Sequence, residues 1–243
     1  MKKLLLISIE KGLSQFNNIT VAGFDFYKPE NMTDEMAKLG ELLDSEQKAQ
    51  DFISWHKKIF AEVEDALSNV SIPRAYYEGA NDGLGSLNTY GEGAGINSLQ
   101  IMAKGENIAK TLDGTYPKVD WEWVISENPD VIIKLAPHTG IQLQNTFGWQ
   151  LPPEQTGQEL DVIRDNILSR PGAKNISAIE NGRVYVLFND MCYGMDSSVG
   201  LTYLSKILHP EIDLDPEQVY QEYLDMLGMK LPEDRTFVYP VLE

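Results

Sequence analysis

Residues 44–69 contain neither glycine nor proline, and their apolar side chains return at intervals of three and four residues. Ala49, Phe52, Ile53, Phe60, Val63 and Leu67 set the stripe, and Trp55, Ile59 and Ala66 widen it. That period is the helical one. Asp44 and Gln47 have the spacing of a capping box at its start. A helix of roughly 25 residues is about 37 Å long at 1.5 Å per residue. It is either a stiff strut between two bodies or a core helix within one, and its pattern admits both.

The flanks differ from each other. Ahead of the helix, residues 4–9 and 19–26 read as short apolar strands, and 33–43 as a helix with Met36, Leu39 and Leu43 on one face. Behind it, strands are expected at 74–78, 86–90, 131–135 and 183–188. Helices are expected at 96–103, 120–127, 159–168, 197–208 and 216–227. Residues 131–135 are apolar without alternation, as in a parallel strand covered on both faces. Strands alternating with helices give an α/β class with a mainly parallel sheet.

Bulk properties narrow the function. Against 20 Lys and Arg stand 37 Asp and Glu, a net charge of −17, which repels nucleic-acid phosphates and anionic lipid. No run of 18 apolar residues is present, so no membrane-spanning helix is expected. The opening Met1-Lys2-Lys3-Leu4-Leu5-Leu6-Ile7 imitates a secretory signal. It stops at Glu10-Lys11-Gly12, and no small-residue cleavage site follows. Cys192 is the sole cysteine and cannot form an internal disulfide.

Few constellations carry chemistry. Gly91-Glu92-Gly93-Ala94-Gly95 lies between a candidate strand and a helix, where a dinucleotide loop would sit. The third glycine of that pattern falls on Ile96, and Glu92 would set a negative charge beside phosphate. A loop lining a cleft fits better. His56, His138 and His209 have no metal-ligand spacing, so no structural metal and no cofactor are expected. His209 ends a helix, where it can serve terminal carbonyls. His138 follows the apolar strand, at the carboxyl edge where open α/β sheets hold ligands, although an exposed loop histidine fits equally. The stretch 189–196 has the same placement and mixes Met191, Tyr193 and acidic groups. It also reads as a plain helix entry with Asp196 or Ser197 as N-cap. Tyr90, Glu92, His138, Met191 and Tyr193 are thus the candidate ligand contacts, on loops expected to share one face. No nucleophile–base pair stands out, and no enzyme activity is expected.

Eight segments in order carry a resemblance: Asp25-Phe26-Tyr27-Lys28-Pro29-Glu30, Leu39-Gly40-Glu41-Leu42-Leu43, Lys104-Gly105-Glu106-Asn107-Ile108-Ala109, Val119-Asp120-Trp121-Glu122, Asn128-Pro129-Asp130-Val131-Ile132-Ile133, Arg170-Pro171-Gly172, Asn181-Gly182-Arg183-Val184-Tyr185 and Leu208-His209-Pro210-Glu211. Together they resemble the periplasmic-type substrate-binding proteins of ABC importers for iron-siderophores and cobalamin. The resemblance implies two α/β lobes joined by one long helix, with a metal chelate (ferric siderophore, haem or cobalamin) held between them and delivered to the permease subunits. It implies an N-terminally truncated chain: residues 1–43 as an incomplete N-terminal lobe, 44–70 as the bridging helix and 71–243 as the C-terminal lobe. It also implies an extracytoplasmic location, with no signal peptide or lipid anchor visible in the chain, and self-association through the N-terminal strands. Lys104 stands where the family usually has a glycine. The rival readings are a cytoplasmic nucleotide-binding protein using the 91–95 loop and a remnant that binds nothing.

Overall fold

A computed structural model describes residues 2–16, 18–79, 86–136, 148–150, 156–232 and 235–242. The chain opens with α1 (Lys2–Leu13), α2 (Met32–Leu42) and α3 (Glu46–Ala66). Then come β1 (Arg74–Glu78), β2 (Leu87–Asn88), α4 (Gly95–Met102), β3 (Glu106–Asn107), β4 (Lys118–Val119), α5 (Trp121–Glu127) and β5 (Val131–Ala136). The remainder is α6 (Thr156–Leu168), α7 (Ser177–Glu180), β6 (Val184–Phe188), α8 (Ser197–Leu208), α9 (Pro216–Met226) and β7 (Val238–Tyr239).

Five strands form one sheet in the order β3-β1-β5-β6-β7, parallel except for the antiparallel edge strand β7. The chain leaves β1 to one side for β3 and then crosses to β5 on the other. The carboxyl ends of β1 and its neighbours therefore flank a topological switch point, where open α/β sheets form crevices. The short β2 and β4 pair separately as an antiparallel ladder.

Two apolar clusters cover the sheet. Ala75, Tyr77, Val131, Ile133 and Leu135 join the larger, with α2, α3, α4, α8 and α9. Tyr76, Ile132 and Val184 join the smaller, beneath α5 and α7. All six residues of β5 are buried, as its unbroken apolar run requires. The densest layer is α8, with 11 buried residues. Gly200 lets it press on the preceding turn, since a Cβ there would stand 2.3 Å from the Met191 carbonyl oxygen.

The expected elements from residue 74 onward are present, most within a few residues of their expected ends. The segment before α3 differs. Residues 4–9 are helical within α1, and 19–26 form no strand, so residues 1–43 contain no strand among the described residues. The apolar run at 4–9 is too short for periodicity to separate helix from strand. The capping box also fails. Asp44 has φ +49°, Ser45 is the N-cap, and Gln47 donates instead to Asp51 at 2.8 Å. α2 turns back on α3 so tightly that a Cβ on Gly40 would lie 2.4 Å from Ala49 Cβ. The helix α3 has 21 residues and buries Ala49, Phe52, Ile53, His56, Ile59 and Val63. Its stripe joins the sheet in the larger cluster.

Candidate functional site

Four tyrosines meet at the carboxyl edge of the sheet, each from a different stretch of chain. Tyr90 follows β2, Tyr116 precedes β4, Tyr193 lies in the 3₁₀ turns after β6, and Tyr27 comes from the segment before α2. Tyr27 and Tyr193 stack with ring centroids 5.3 Å apart and planes 6° apart. The hydroxyls of Tyr27 and Tyr116 are 2.9 Å apart, and the ring of Tyr116 meets Tyr90 edge-on at 5.9 Å. The backbone N–H of Gly95, first residue of α4, donates to the Tyr27 hydroxyl at 3.2 Å.

The loops are fixed by polar groups below them. Asn107 Nδ2 donates to the Tyr90 carbonyl at 2.7 Å and to Asn97 Oδ1 at 3.0 Å. Thr89 Oγ1 donates to the Tyr77 carbonyl at 2.7 Å, and Gly91 N–H to the Thr115 carbonyl at 2.9 Å. The glycines serve this packing. A Cβ on Gly91 would stand 2.3 Å from the Gly114 oxygen, and one on Gly95 would stand 3.3 Å from the rings of both Tyr27 and Tyr193. Their missing side chains thus admit protein segments, which removes the motive for a phosphate loop.

Burial pushes the Tyr90 and Tyr193 phenols above their ordinary value. The hydrogen bond from Tyr27 and some burial push Tyr116 up to about 12. All three are neutral near pH 7. The edge therefore presents uncharged hydroxyls and flat aromatic faces, suited to stacking on a planar ligand and hydrogen-bonding its oxygens.

Deeper at the same edge, Glu78 of β1 is fully buried and faces Lys134 of β5 across the ladder. Lys134 Nζ is 3.0 Å from Glu78 Oε1, and Arg170 reaches both oxygens at 2.6 and 2.8 Å. Burial alone would raise the Glu78 pKa, but the Arg170 hydrogen bonds and the Lys134 charge outweigh it and hold the carboxylate low. The Arg170 guanidinium also lies over Trp121, 4.7 Å from the ring. This triad fastens β1, β5 and the segment after α6 beneath the edge.

Tyr90 and Tyr193 are therefore brought together. Glu92 is exposed on the neighbouring loop, where its carbonyl accepts from Asn97 Nδ2. Met191 is fully buried, within the larger cluster. His138 lies outside the described residues. Tyr27 and Tyr116 were not among the sequence candidates. Tyr27 sits within a segment that carried the family resemblance, but nothing in its spacing marks it. Tyr116 stands in an irregular turn, where periodicity is silent.

An open α/β sheet with aromatic loops gathered at its switch point is the architecture of a ligand-binding protein. The family model described as periplasmic binding protein matches residues 14–191, and the chain belongs to that family. No curated protein matches the chain. Among solved structures it is similar to the TroA-like periplasmic binding protein FepB of Veillonella parvula, at 20% identity and a TM-score of 0.74, over 96% of this chain and 70% of that one. It is similar to an ABC transporter substrate-binding protein of Listeria monocytogenes, at 22% identity and TM-score 0.64, over 86% and 75%. It is also similar to S. aureus IsdE, solved with heme, at 19% identity and TM-score 0.59, over 84% and 74%.

Proposed function

We propose that this chain is the substrate-binding component of an ABC importer for a metal chelate of the ferric-siderophore, haem or cobalamin type. The observation that carries this reading is the tyrosine cluster at the carboxyl edge of the sheet, in a chain of the periplasmic binding family. Tyr90 and Tyr193, with Tyr116, would form the ligand wall, and Glu92 would border it. Haem and cobalamin present flat rings and ferric siderophores present oxygen atoms, and neutral phenols can stack on the first and hydrogen-bond the second. In this reading α3 is the interlobe helix and residues 71–243 form the C-terminal lobe. The chain works outside the cytoplasm, hands its ligand to permease subunits and has no enzymatic step. The similarity to a heme-bound protein and to an Fe3+-hydroxamate transport protein of Saccharomonospora viridis supports the ligand class.

Titration with ferrioxamine B, a ferric catecholate, haemin and cyanocobalamin, followed by ligand absorbance and protein fluorescence, tests the reading. One class is expected to bind saturably with one-to-one stoichiometry, and Tyr193→Ala to weaken it at least tenfold. Binding of none of the four sinks the importer reading.

A further inference from the structure

The ring of Tyr27 fills a slot between Tyr193, Gly95 and Tyr116. Its flat face lies on Tyr193, and its single oxygen meets the Gly95 N–H at 3.2 Å and the Tyr116 hydroxyl at 2.9 Å. The three partners belong to the α/β body. Tyr193 is carried on turns locked against α8, and Gly95 opens α4. Tyr27 belongs to the connection between α1 and α2, whose residues 19–25 have no regular structure. In that connection the Phe26 carbonyl accepts from Gly194 N–H at 3.1 Å, and Asp25 N–H donates to Glu35 at 2.9 Å. The absence of a Cβ at Gly95 leaves room for two flat rings side by side, because a methyl there would stand 3.3 Å from each.

We infer that this slot is an aryl-hydroxyl subsite which the chain closes with its own Tyr27, so that a phenol- or catechol-bearing ligand must displace that side chain to bind. The inference rests on the binding-protein reading above and names the ligand chemistry of the same edge. Each contact Tyr27 makes uses only what a phenol offers: a planar face and one oxygen able to accept and donate. A catechol ring offers the same face and a second oxygen. A tethered ring competes at high effective concentration, so the observed affinity falls by the fraction of time the slot stands open.

The test compares binding of catechol and of the ferric 2,3-dihydroxybenzoate complex to the wild-type chain, Tyr27→Ala and Tyr27→Phe. Ferrioxamine B serves as a chelate without aryl groups. Tyr27→Ala is expected to bind both aryl probes about tenfold more tightly, the ratio for a slot filled nine-tenths of the time. Tyr27→Phe, which keeps the ring, should stay within about threefold of wild type. A second readout uses the unmodified chain: amide exchange at Gly194 should quicken on saturation with catechol, as Phe26 leaves. Unchanged or weaker aryl binding by Tyr27→Ala, with Gly194 exchange unaffected, overturns the inference. If ferrioxamine B binds while the aryl probes do not, the inference fails and the importer reading stands.

Discussion

Lys104 has φ +49°, a left-handed backbone that L-residues other than Asn and Asp seldom adopt. It sits one residue past the C-cap of α4. Its N–H bonds to the Ile101 carbonyl at 3.1 Å, and the Gly105 N–H to the Gln100 carbonyl at 2.8 Å. That pair of bonds is the Schellman closure, whose left-handed position favours glycine. The sequence comparison with the family already singled out position 104, and the structure supplies the reason for a glycine there. Gly105 answers a separate need, since a Cβ on it would meet Leu208 at 2.7 Å. Lys104→Gly is therefore expected to stabilise the chain by about 0.5–1 kcal/mol, the relieved left-handed strain less the added freedom of the unfolded chain. A melting temperature raised by about 2–3 °C would show it. A lower melting temperature would mean that the lysine side chain contributes more than its backbone costs. Other residue roles were not legible. Glu78 and Arg170 are 92 positions apart, and no spacing rule joins an acid on a strand to a base after a distant helix. Asn107, quoted only as part of a resemblance, turns out to pin the Tyr90 loop.

At the scale of elements, periodicity served well where elements were long or fully buried. α8 spans the expected 197–208, and β5 extends the expected strand by one residue. It missed the two-residue strands β3, β4 and β7, which are set by pairing rather than by side-chain pattern, and overran β2. The α3 stripe was legible, but its meaning was not, because His56 within it finds its partner 142 residues away. His56 is 3% exposed, its Nδ1 lies 2.6 Å from the Ser198 hydroxyl of α8, and Phe60 packs beside it at 4.4 Å. Burial, with a smaller push from Lys57, lowers its pKa to about 4 from 6.5. Between those values the unfolded chain holds the proton and the native one does not, so stability falls as pH falls through that window. Asp196, pushed up to about 7 mainly by burial, acts oppositely: the native chain holds its proton, and stability falls as pH rises from 3.8 to about 7. The difference between wild type and His56→Gln isolates the first term. Relative to its own value at pH 8, the wild type should lose about 2 kcal/mol more than the variant at pH 5, by denaturant unfolding. Parallel profiles would mean that the α3–α8 contact accepts a charged imidazole.

For the whole molecule, α2 and α3 join the sheet in the larger cluster through Met32, Met36, Phe52 and Ile59. What precedes them differs in kind. The described side chains of α1 are exposed except for half-buried Leu13, and Ile7 and Ile9 stand 38% and 41% open. The apolar pattern of residues 4–9 predicts a strand whose unpaired edge pairs with other chains. The structure has a helix there and no strand edge, which removes that route to self-association. Ile7, Ile9, Phe16 and Ile19 are exposed and offer apolar side-chain contact instead. A helix of 12 residues whose described side chains form no buried face is marginal in water, since tertiary packing supplies most helical stability. Local opening should therefore cost little in α1 and approach the global unfolding energy in β5, whose six residues are all buried. In hydrogen exchange at low micromolar concentration, the amides of Lys2–Leu13 are expected to be slowed less than about tenfold relative to free peptide, while those of Val131–Ala136 exchange only through global unfolding. Raising the concentration a hundredfold separates the two remaining possibilities. Protection of α1 that appears only at the higher concentration identifies it as a surface for a second copy. Strong protection at both concentrations, in a chain that sediments as a monomer, would require α1 to be packed against its own body, and the account of an isolated first helix would be wrong.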